Sequence, residues 1–264
     1  MKQGHGANDA EGHSADRQAE AGTARTEETR LERFTANAKT IGGAVLLAMF
    51  IRIVLFEAFE IEGPSMEPTL LNGDRVVVAK LLYGLFLPFT NEAAATWGGP
   101  DLGDVVIVRS PADNIDIVKR VVGVPGDTIW MRDNVVWRNG EPIATKVLGP
   151  CENQQGDTVG DSPFDDCLWV RETIGDESYV TSRSADSAMD STPRVHVPPG
   201  HLFVLGDHRD RSNDSRNPLI GPVPVQRVKG KALFIYWSSF RAEDASWLSN
   251  LVNVRWDRMF EGVH

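Results

Sequence analysis

A serine in a conformationally restricted segment is the residue of this chain best suited to act as a nucleophile. Ser65 lies in the sequence GPSMEPT at positions 63–69, where two prolines and a glycine restrict the backbone. A serine hydroxyl is a weak nucleophile until a neighbouring base removes its proton. No histidine stands out as that base, whereas a lysine in an apolar stretch does.

Lys119 is the candidate base, because the sequence NIDIVKRVVGVPGD at 114–127 is typical of a largely apolar strand. Side chains alternate along a strand, so Lys119 and Arg120 point to opposite faces and one of them is expected to turn inward. Burial lowers the pKa of an amine, which can then accept a proton, whereas arginine stays protonated. The alternative is that both charged groups extend to solvent.

A third polar segment has the sequence GDHRDRSNDSR at 206–216 and follows a predicted strand. This composition is typical either of a solvated loop or of a hydrogen-bonded loop that orients a catalytic side chain. In the second interpretation, Ser212 bonds the lysine amine. Asp214 and Arg216 then form an ion pair that braces the loop.

β-strands must position these three segments, because strand and turn signals fill most of the chain after residue 59. Three strands are each introduced by a Gly-Asp turn, at 73–78, 103–108 and 126–131. An Asn-Gly pair predicts a hairpin within 135–143, and further strands are predicted at 202–205 and 231–237. No strand–helix alternation is visible, so we predict a mostly β, antiparallel catalytic domain rather than a doubly wound sheet.

The N-terminal part of the chain has a different character. Residues 1–33 are polar and predict a disordered tail, and 34–58 predict one transmembrane helix around the apolar run 41–51. A buried soluble helix and a cleaved signal peptide are the alternatives. Basic residues before the run predict a cytoplasmic N-terminus and an extracytoplasmic catalytic domain, anchored by a single pass in the plasma (inner) membrane.

The remaining chain divides into a catalytic β domain, at 59–146 and 193–264, and an insertion subdomain at 147–192. The insertion carries Cys151 and Cys167, which are expected to form a disulfide if they lie outside the cytoplasm and are otherwise free thiols. The formal net charge of −10, without a basic block, argues against nucleic acid as a partner.

Four motifs in order, behind a candidate membrane anchor, resemble those of bacterial type I signal peptidases. These enzymes, also called leader peptidases, are membrane-bound serine endopeptidases that use a Ser-Lys dyad to remove signal peptides from exported preproteins. The matching motifs are GPSMEPT at 63–69, GDRVVV at 73–78, KRVVGVPGD at 119–127 and GDHRDRSNDSR at 206–216. The resemblance extends from about Arg52 to His264.

The resemblance implies a role for each matching residue. Ser65 is the nucleophile, Lys119 is the general base, and Ser212 orients the lysine. Asp214 and Arg216 are the structural ion pair of the last motif. The Ser65 backbone N–H donates to the oxyanion.

Family members cut after Ala-X-Ala, which implies small apolar pockets for the substrate. The positions that match pocket residues are Ile61, Met66 and Val118. The peptide is expected to add as a strand beside 60–63 and 115–118, so Gly63 also counts as a substrate-binding position. The expected partners are signal peptides of secreted preproteins and the lipid bilayer, and no metal or organic cofactor is implied. The apolar stretch 81–89, with Trp237, either packs in the core or dips into the membrane.

Two positions depart from the family pattern. Gly63 stands where some members carry a Ser or Thr that helps to stabilise the oxyanion, and His208 stands where an Asn is common. The alternative function from another class is an inactive, membrane-tethered binding or assembly protein of the same fold. An autocleaving Ser-Lys repressor-type peptidase would carry a DNA-binding domain at its N-terminus, where this chain has a tail and the predicted anchor.

Overall fold

Antiparallel strands form the framework of the larger of two units into which the chain divides, Met1–Ile53 and Val54–His264. The computed structural model describes residues 37–47, 55–86, 90–151, 167–184, 191–239 and 253–264. The predicted tail at 1–33 lies outside the described residues. Within the first unit, residues 37–47 form a helix, α1. Among the described residues, no helix has the length and apolar character that a membrane crossing needs.

Strands supply the architecture of the larger unit. They are β1 Phe56–Glu60, β2 Asp74–Ala79, β3 Gly84–Leu85, β4 Ala95–Thr96, β5 Val105–Arg109, β6 Asp116–Gly123, β7 Thr128–Arg132, β8 Val135–Arg138, β9 Glu141–Pro142, β10 Ala144–Pro150, β11 Cys167–Ile174, β12 Glu177–Ser184, β13 Val195–His196, β14 His201–Leu205, β15 Val223–Pro224 and β16 Val228–Ser238. Short 3₁₀ helices occupy Lys80–Leu82, Arg209–Arg211, Val225–Arg227 and Trp256–Arg258.

The strands form four antiparallel sheets. The largest has seven strands in the order β1-β2-β16-β5-β6-β14-β15, and the others have the orders β13-β7-β8-β9, β10-β11-β12 and β3-β4. The strand β16 shifts register against both β2 and β5. Such bulges bend a strand, so β16 curves the large sheet around the residues it encloses.

The three predicted Gly-Asp turns are present and share one geometry. Their glycines, Gly73, Gly103 and Gly126, have φ of +86°, +88° and +93°, which is the left-handed region that a type II turn requires of its third residue. In each turn the aspartate N–H donates to the carbonyl three residues earlier. The carboxylate of the same aspartate accepts the N–H of that earlier residue. The Asn139-Gly140 hairpin turn is also confirmed, with φ of +55° and +96°.

The predicted helix at 34–58 is wrong at its C-terminal end. Residues Phe56–Glu60 form β1, which pairs with β2 from Phe56 opposite Ala79 to Glu60 opposite Arg75. The alternating exposure along β1 shows the two-residue period of an edge strand rather than the period of a helix. Residues 34–36 and 48–54 of the predicted helix lie outside the described part of the chain.

The insertion begins three residues earlier than predicted and belongs to the core. Its sheet starts at Ala144, where β10 pairs with β11. Ile174 and Tyr179 of this sheet pack in one hydrophobic cluster with Val122 and Leu205 from the large sheet. Cys151 and Cys167 are joined in a disulfide, so the pairing expected for an oxidising compartment is the one observed.

Candidate active site

Ser65 and Lys119 meet at the centre of the site, although 54 residues separate them in sequence. Ser65 lies in the turn after β1, and Lys119 lies in the middle of β6. The Lys119 Nζ atom is 2.8 Å from Ser65 Oγ and also donates to the Val118 carbonyl at 2.8 Å. This contact puts a possible base within hydrogen-bond distance of a possible nucleophile.

The Lys119 side chain is buried, with only 3% of its surface exposed. Burial lowers the pKa of its amine to about 8, because the charged form loses its hydration. The negative charges of Asp214 and Asp207 oppose this shift, and the positive charge of Arg216 adds to it. A fraction of the amine is therefore neutral near neutral pH and able to accept a proton.

Both charges of β6 turn inward, one more than the sequence predicted, because Arg120 is buried as well as Lys119. Its guanidinium forms a two-pronged ion pair with Asp207 at 2.8 and 2.7 Å. A third bond at 2.8 Å goes to the Gly103 carbonyl, and the ring of Tyr179 lies 4.0 Å away. Because Asp207 and the Gly103 carbonyl pair with its guanidinium, Arg120 can be buried on the face of β6 opposite Lys119.

A cleft of about 200 Å³ opens beside the Ser65–Lys119 pair. Of the predicted substrate-binding positions, Ile61, Met66 and Val118 line it, whereas Gly63 does not. Gly63 has a φ of +82° and open space around its α-carbon, so it lies at the turn surface. Sequence analysis missed the acidic lining of the cleft, which consists of Glu60, Glu62 and Asp116.

The loop at 206–216 is held by the predicted ion pair. Arg216 binds both carboxylate oxygens of Asp214 at 2.8 Å, and the Asp214 carboxylate also accepts the Gly206 N–H at 3.0 Å. Burial alone would raise the pKa of Asp214, but the hydrogen bonds and charge of Arg216 outweigh it and hold this pKa below its usual range. Asp214 thus carries a permanent negative charge near Lys119.

The predicted hydrogen bond between Ser212 and Lys119 is absent. The Ser212 hydroxyl oxygen is buried and has no hydrogen-bond partner of regular geometry among the described residues. Ser212 instead packs on Gly206, where an added β-carbon would lie 2.2 Å from its hydroxyl and 2.4 Å from the Ser65 carbonyl oxygen. Gly206 is therefore the spacer that lets Ser212 approach the nucleophile turn.

His208 ties the same loop to the nucleophile through its backbone. Its N–H donates to the Ser65 carbonyl at 3.1 Å. Burial lowers the pKa of its imidazole to about 4, so the ring is neutral at neutral pH. No group of three or more His, Cys, Asp or Glu residues in the described part of the chain could hold a metal ion.

Comparison with known proteins places the chain in a family. The family model described as signal peptidase, peptidase S26, matches residues 34–237. A signal peptidase I of Pseudomonas fluorescens is 35% identical over 228 residues, covering 82% of this chain and 76% of that protein. One from Bacillus licheniformis is 34% identical over 199 residues, covering 75% and 86%.

A crystal structure of a signal peptidase I from Enterococcus faecalis is also similar, with 27% sequence identity. It covers 52% of this chain and 98% of its own, with a TM-score of 0.30. The family match spans most of the chain and includes Ser65 and Lys119. The chain therefore belongs to the bacterial type I signal peptidase family, peptidase S26, and is a serine peptidase.

Proposed function

We propose that this protein removes signal peptides from exported preproteins, with Ser65 as nucleophile and Lys119 as general base. The observation that supports it most directly is the 2.8 Å contact between a buried amine and a serine hydroxyl at the end of a cleft. The neutral amine takes the hydroxyl proton as Ser65 Oγ bonds to the scissile carbonyl carbon. The resulting oxyanion accepts a hydrogen bond from the Ser65 backbone N–H.

The second half of the reaction returns the proton. The Lys119 ammonium donates it to the leaving amine nitrogen, the C–N bond breaks, and the signal peptide remains as an ester on Ser65. Lys119 then takes a proton from a water molecule, whose oxygen attacks the ester carbonyl. The signal peptide leaves with a free carboxylate, and Ser65 Oγ regains its proton. Because only 3% of the Lys119 surface is exposed, the site disfavours the charged form of the amine before any substrate binds.

The cleft supports a peptide substrate that binds as an added strand and ends in Ala-X-Ala. One wall comes from residues 59–62 at the end of β1, which is the terminal strand of the large sheet. The other wall comes from 116–119 of β6, ahead of the point where β14 begins to pair with it at Arg120. The volume near Ser65 suits small side chains, and Ile61, Met66 and Val118 give the cleft apolar surface beside its acidic residues.

We also propose a single-pass anchor in the plasma membrane, with the N-terminus in the cytoplasm. The apolar run 41–51, the basic residues before it and the position of Ser65 shortly after it support this arrangement. Exposed apolar side chains near the start of the catalytic unit, Phe56, Leu82, Leu85 and Trp97, suit a domain that rests on a bilayer. Fractionation of cells that express the full chain or a version lacking residues 1–53 tests the anchor.

The decisive experiment is cleavage of a purified preprotein whose signal peptide ends in Ala-X-Ala, followed by sequencing of the new N-terminus. Ser65→Ala, Lys119→Ala and Lys119→Arg should each abolish cleavage, since arginine cannot serve as a base. The effects of Ser65→Ala and Lys119→Ala should not add, because the two residues act as one unit. Lys146→Ala, at an exposed lysine of β10, is the control. Near wild-type cleavage by either single dyad variant would exclude this assignment.

A further inference from the structure

The hairpin β11–β12 of the insertion lies directly behind the catalytic loop. The Ser182 N–H donates to the Asp207 carbonyl at 3.0 Å, and the Ser184 N–H donates to the Asp210 carboxylate at 2.6 Å. Ser182 and His208 form an isolated parallel bridge. The strand β12 is thus bound through its backbone to the segment that carries Gly206 and His208.

A buried ion pair fixes the same hairpin to the loop. Arg209 binds both carboxylate oxygens of Glu172 in β11, at 2.7 and 2.5 Å. Both side chains are inaccessible to solvent, and the hydroxyls of Tyr179 and Thr181 also reach the Glu172 carboxylate. The Arg209 Nε donates in turn to the Gly206 carbonyl at 3.1 Å. A two-pronged contact of this kind sets orientation as well as distance.

The hairpin reaches the nucleophile turn by two routes. Directly, the Ser182 hydroxyl donates to the Glu67 carbonyl at 3.3 Å. Indirectly, β12 and Arg209 fix the catalytic loop, and the loop in turn fixes Gly206 and His208. Gly206 lies close to the Ser65 carbonyl oxygen, and the His208 N–H donates a hydrogen bond to it.

We propose that the β11–β12 hairpin is a positioning element of the active site, in which Glu172 and Ser182 set the distance between Ser65 and Lys119. The proposal rests on the proposed roles of these two residues. Neither Glu172 nor Ser182 lines the substrate cleft, so both act through other residues. The insertion, which the sequence predicted as a subdomain distinct from the catalytic domain, is then part of the active-site architecture.

The consequence is a loss of turnover without a loss of substrate binding. A displacement of about 1 Å in a catalytic group can reduce the rate roughly a hundredfold. Ser182→Ala removes only the bond to Glu67 and should lower kcat about tenfold at unchanged KM. Ser191→Ala, at an exposed serine of the predicted insertion, is its control and should be unaffected. Glu172→Gln should be slower still, and Glu177→Gln is its charge-matched control at the exposed end of the hairpin.

The double variant Glu172→Gln with Arg209→Gln distinguishes a positioning role of the ion pair from a purely structural one. This change removes both charges, so no unpaired charge remains buried, and the melting temperature should recover relative to Glu172→Gln. We expect kcat to stay low, because the bond that holds the Gly206 carbonyl is lost. Recovery of both melting temperature and kcat would overturn the proposal, as would a Ser182→Ala variant with wild-type kcat.

The assay must report on the dyad even if the natural substrate differs from the one proposed. The burst of nitrophenolate from p-nitrophenyl acetate measures acylation of Ser65 by a small ester, with Ser65→Ala as the blank. A wild-type protein that shows this burst but leaves the Ala-X-Ala preprotein intact contradicts the proposed substrate. The burst rates of the hairpin variants still test the positioning role in that case. Equal burst rates in Ser182→Ala, the double variant and the wild type would exclude it.

Discussion

At the scale of single residues, Lys119 combines a stability cost with a chemical advantage. Its amine has a pKa of about 8 in the folded protein and about 10.5 when unfolded. Below pH 8 both states are protonated, so the folded protein bears the full cost of a buried charge. Between these two values the unfolded state binds more protons, and stability rises with pH. Above them the cost is gone.

This linkage predicts opposite effects of one substitution on stability and activity. Lys119→Met should be inactive and yet melt at a higher temperature than the wild type at pH 7. Each unit of pKa depression corresponds to about 1.4 kcal/mol. The difference in melting temperature should shrink as the pH rises from 8 towards 10.5. Scanning calorimetry of both proteins across this range measures it, and a destabilised Lys119→Met at pH 7 would contradict the argument.

The proposed role of Lys119 as general base also predicts how the activity of the wild-type enzyme depends on pH. The protonated amine cannot accept the Ser65 proton, so kcat/KM should rise with pH and level off above about pH 8. His208, whose pKa is about 4, stays neutral through this range and should not contribute. Cleavage rates from pH 5 to pH 10 check the prediction. A flat profile over this range is incompatible with lysine as the base.

Ser212 is expected to matter more for rate than for stability. Its hydroxyl makes no hydrogen bond of regular geometry to the described residues, so Ser212→Ala should change the free energy of unfolding by less than about 1 kcal/mol. If the hydroxyl holds the Lys119 ammonium during the reaction, its loss should reduce kcat by roughly a hundredfold. A thermal melt and a cleavage assay on one preparation test both. Normal turnover would leave Ser212 with a packing role against Gly206.

At the scale of elements, the three Gly-Asp turns have one geometry but different surroundings. The carboxylate of Asp74 is fully buried and bonds Ser238 at 2.6 Å and Arg258 at 2.7 Å. The carboxylate of Asp127 bonds Arg138, whose side chain is 31% exposed, and Asn139. The geometry of the turn is thus set locally, whereas the residues around its aspartate decide how much the turn contributes to stability.

Asp74→Ala and Asp127→Ala form a matched pair for this argument. Both lose the bond to the N–H three residues earlier, but only Asp74→Ala also removes a fully buried carboxylate that binds Arg258 and Ser238. The expected losses in free energy of unfolding are about 3–5 kcal/mol for Asp74→Ala and roughly 1–2 kcal/mol for Asp127→Ala. Urea denaturation of the two variants measures both values. Equal losses would show that the turn bond, rather than the surroundings, dominates.

At the scale of the whole molecule, the nucleophile turn is held from two sides. The Ser182 hydroxyl of the insertion bonds the Glu67 carbonyl, and Arg258 near the C-terminus donates to the Thr69 carbonyl at 2.9 Å. Val263, in the same terminal segment, packs in the hydrophobic cluster that contains Ile61 and Met66. Segments far apart in sequence therefore share the task of fixing the turn that carries Ser65.

Arg258→Met tests the C-terminal contribution. It removes the bond to Thr69, and Arg255 at 3.7 Å is then the only charged partner of the fully buried Asp74 among the described residues. We expect a loss of about 3 kcal/mol in the free energy of unfolding, measured by urea denaturation. Asp257→Asn, at an exposed position of the same 3₁₀ helix, should be neutral. A neutral Arg258→Met would mean that the terminal segment does not brace the turn.

Much of the fold and the central pair of the site could be predicted, because their signals are local. Gly-Asp and Asn-Gly pairs mark turns through the backbone freedom of a few residues, and β-branched runs mark strands. The motifs around Ser65 and Lys119 predicted that pair. The Asp214–Arg216 ion pair could be predicted because the two residues are only two positions apart. The C-terminal end of the predicted helix was misplaced, because a short apolar segment favours helix and strand alike.

The sequence by itself therefore determined the turns, most strands, the family and the pairing of Ser65 with Lys119, which lie 2.8 Å apart in the structure. Only the tertiary structure decided that Arg120 is buried with Asp207, 87 residues away, and that Arg209 pairs with Glu172, 37 residues away. Any of many carboxylates could have served either arginine, and the order of strands in the sheets selects which one comes within 3 Å. The Ser212–Lys119 bond failed for the same reason, since a side-chain contact depends on tenths of an ångström that no motif encodes.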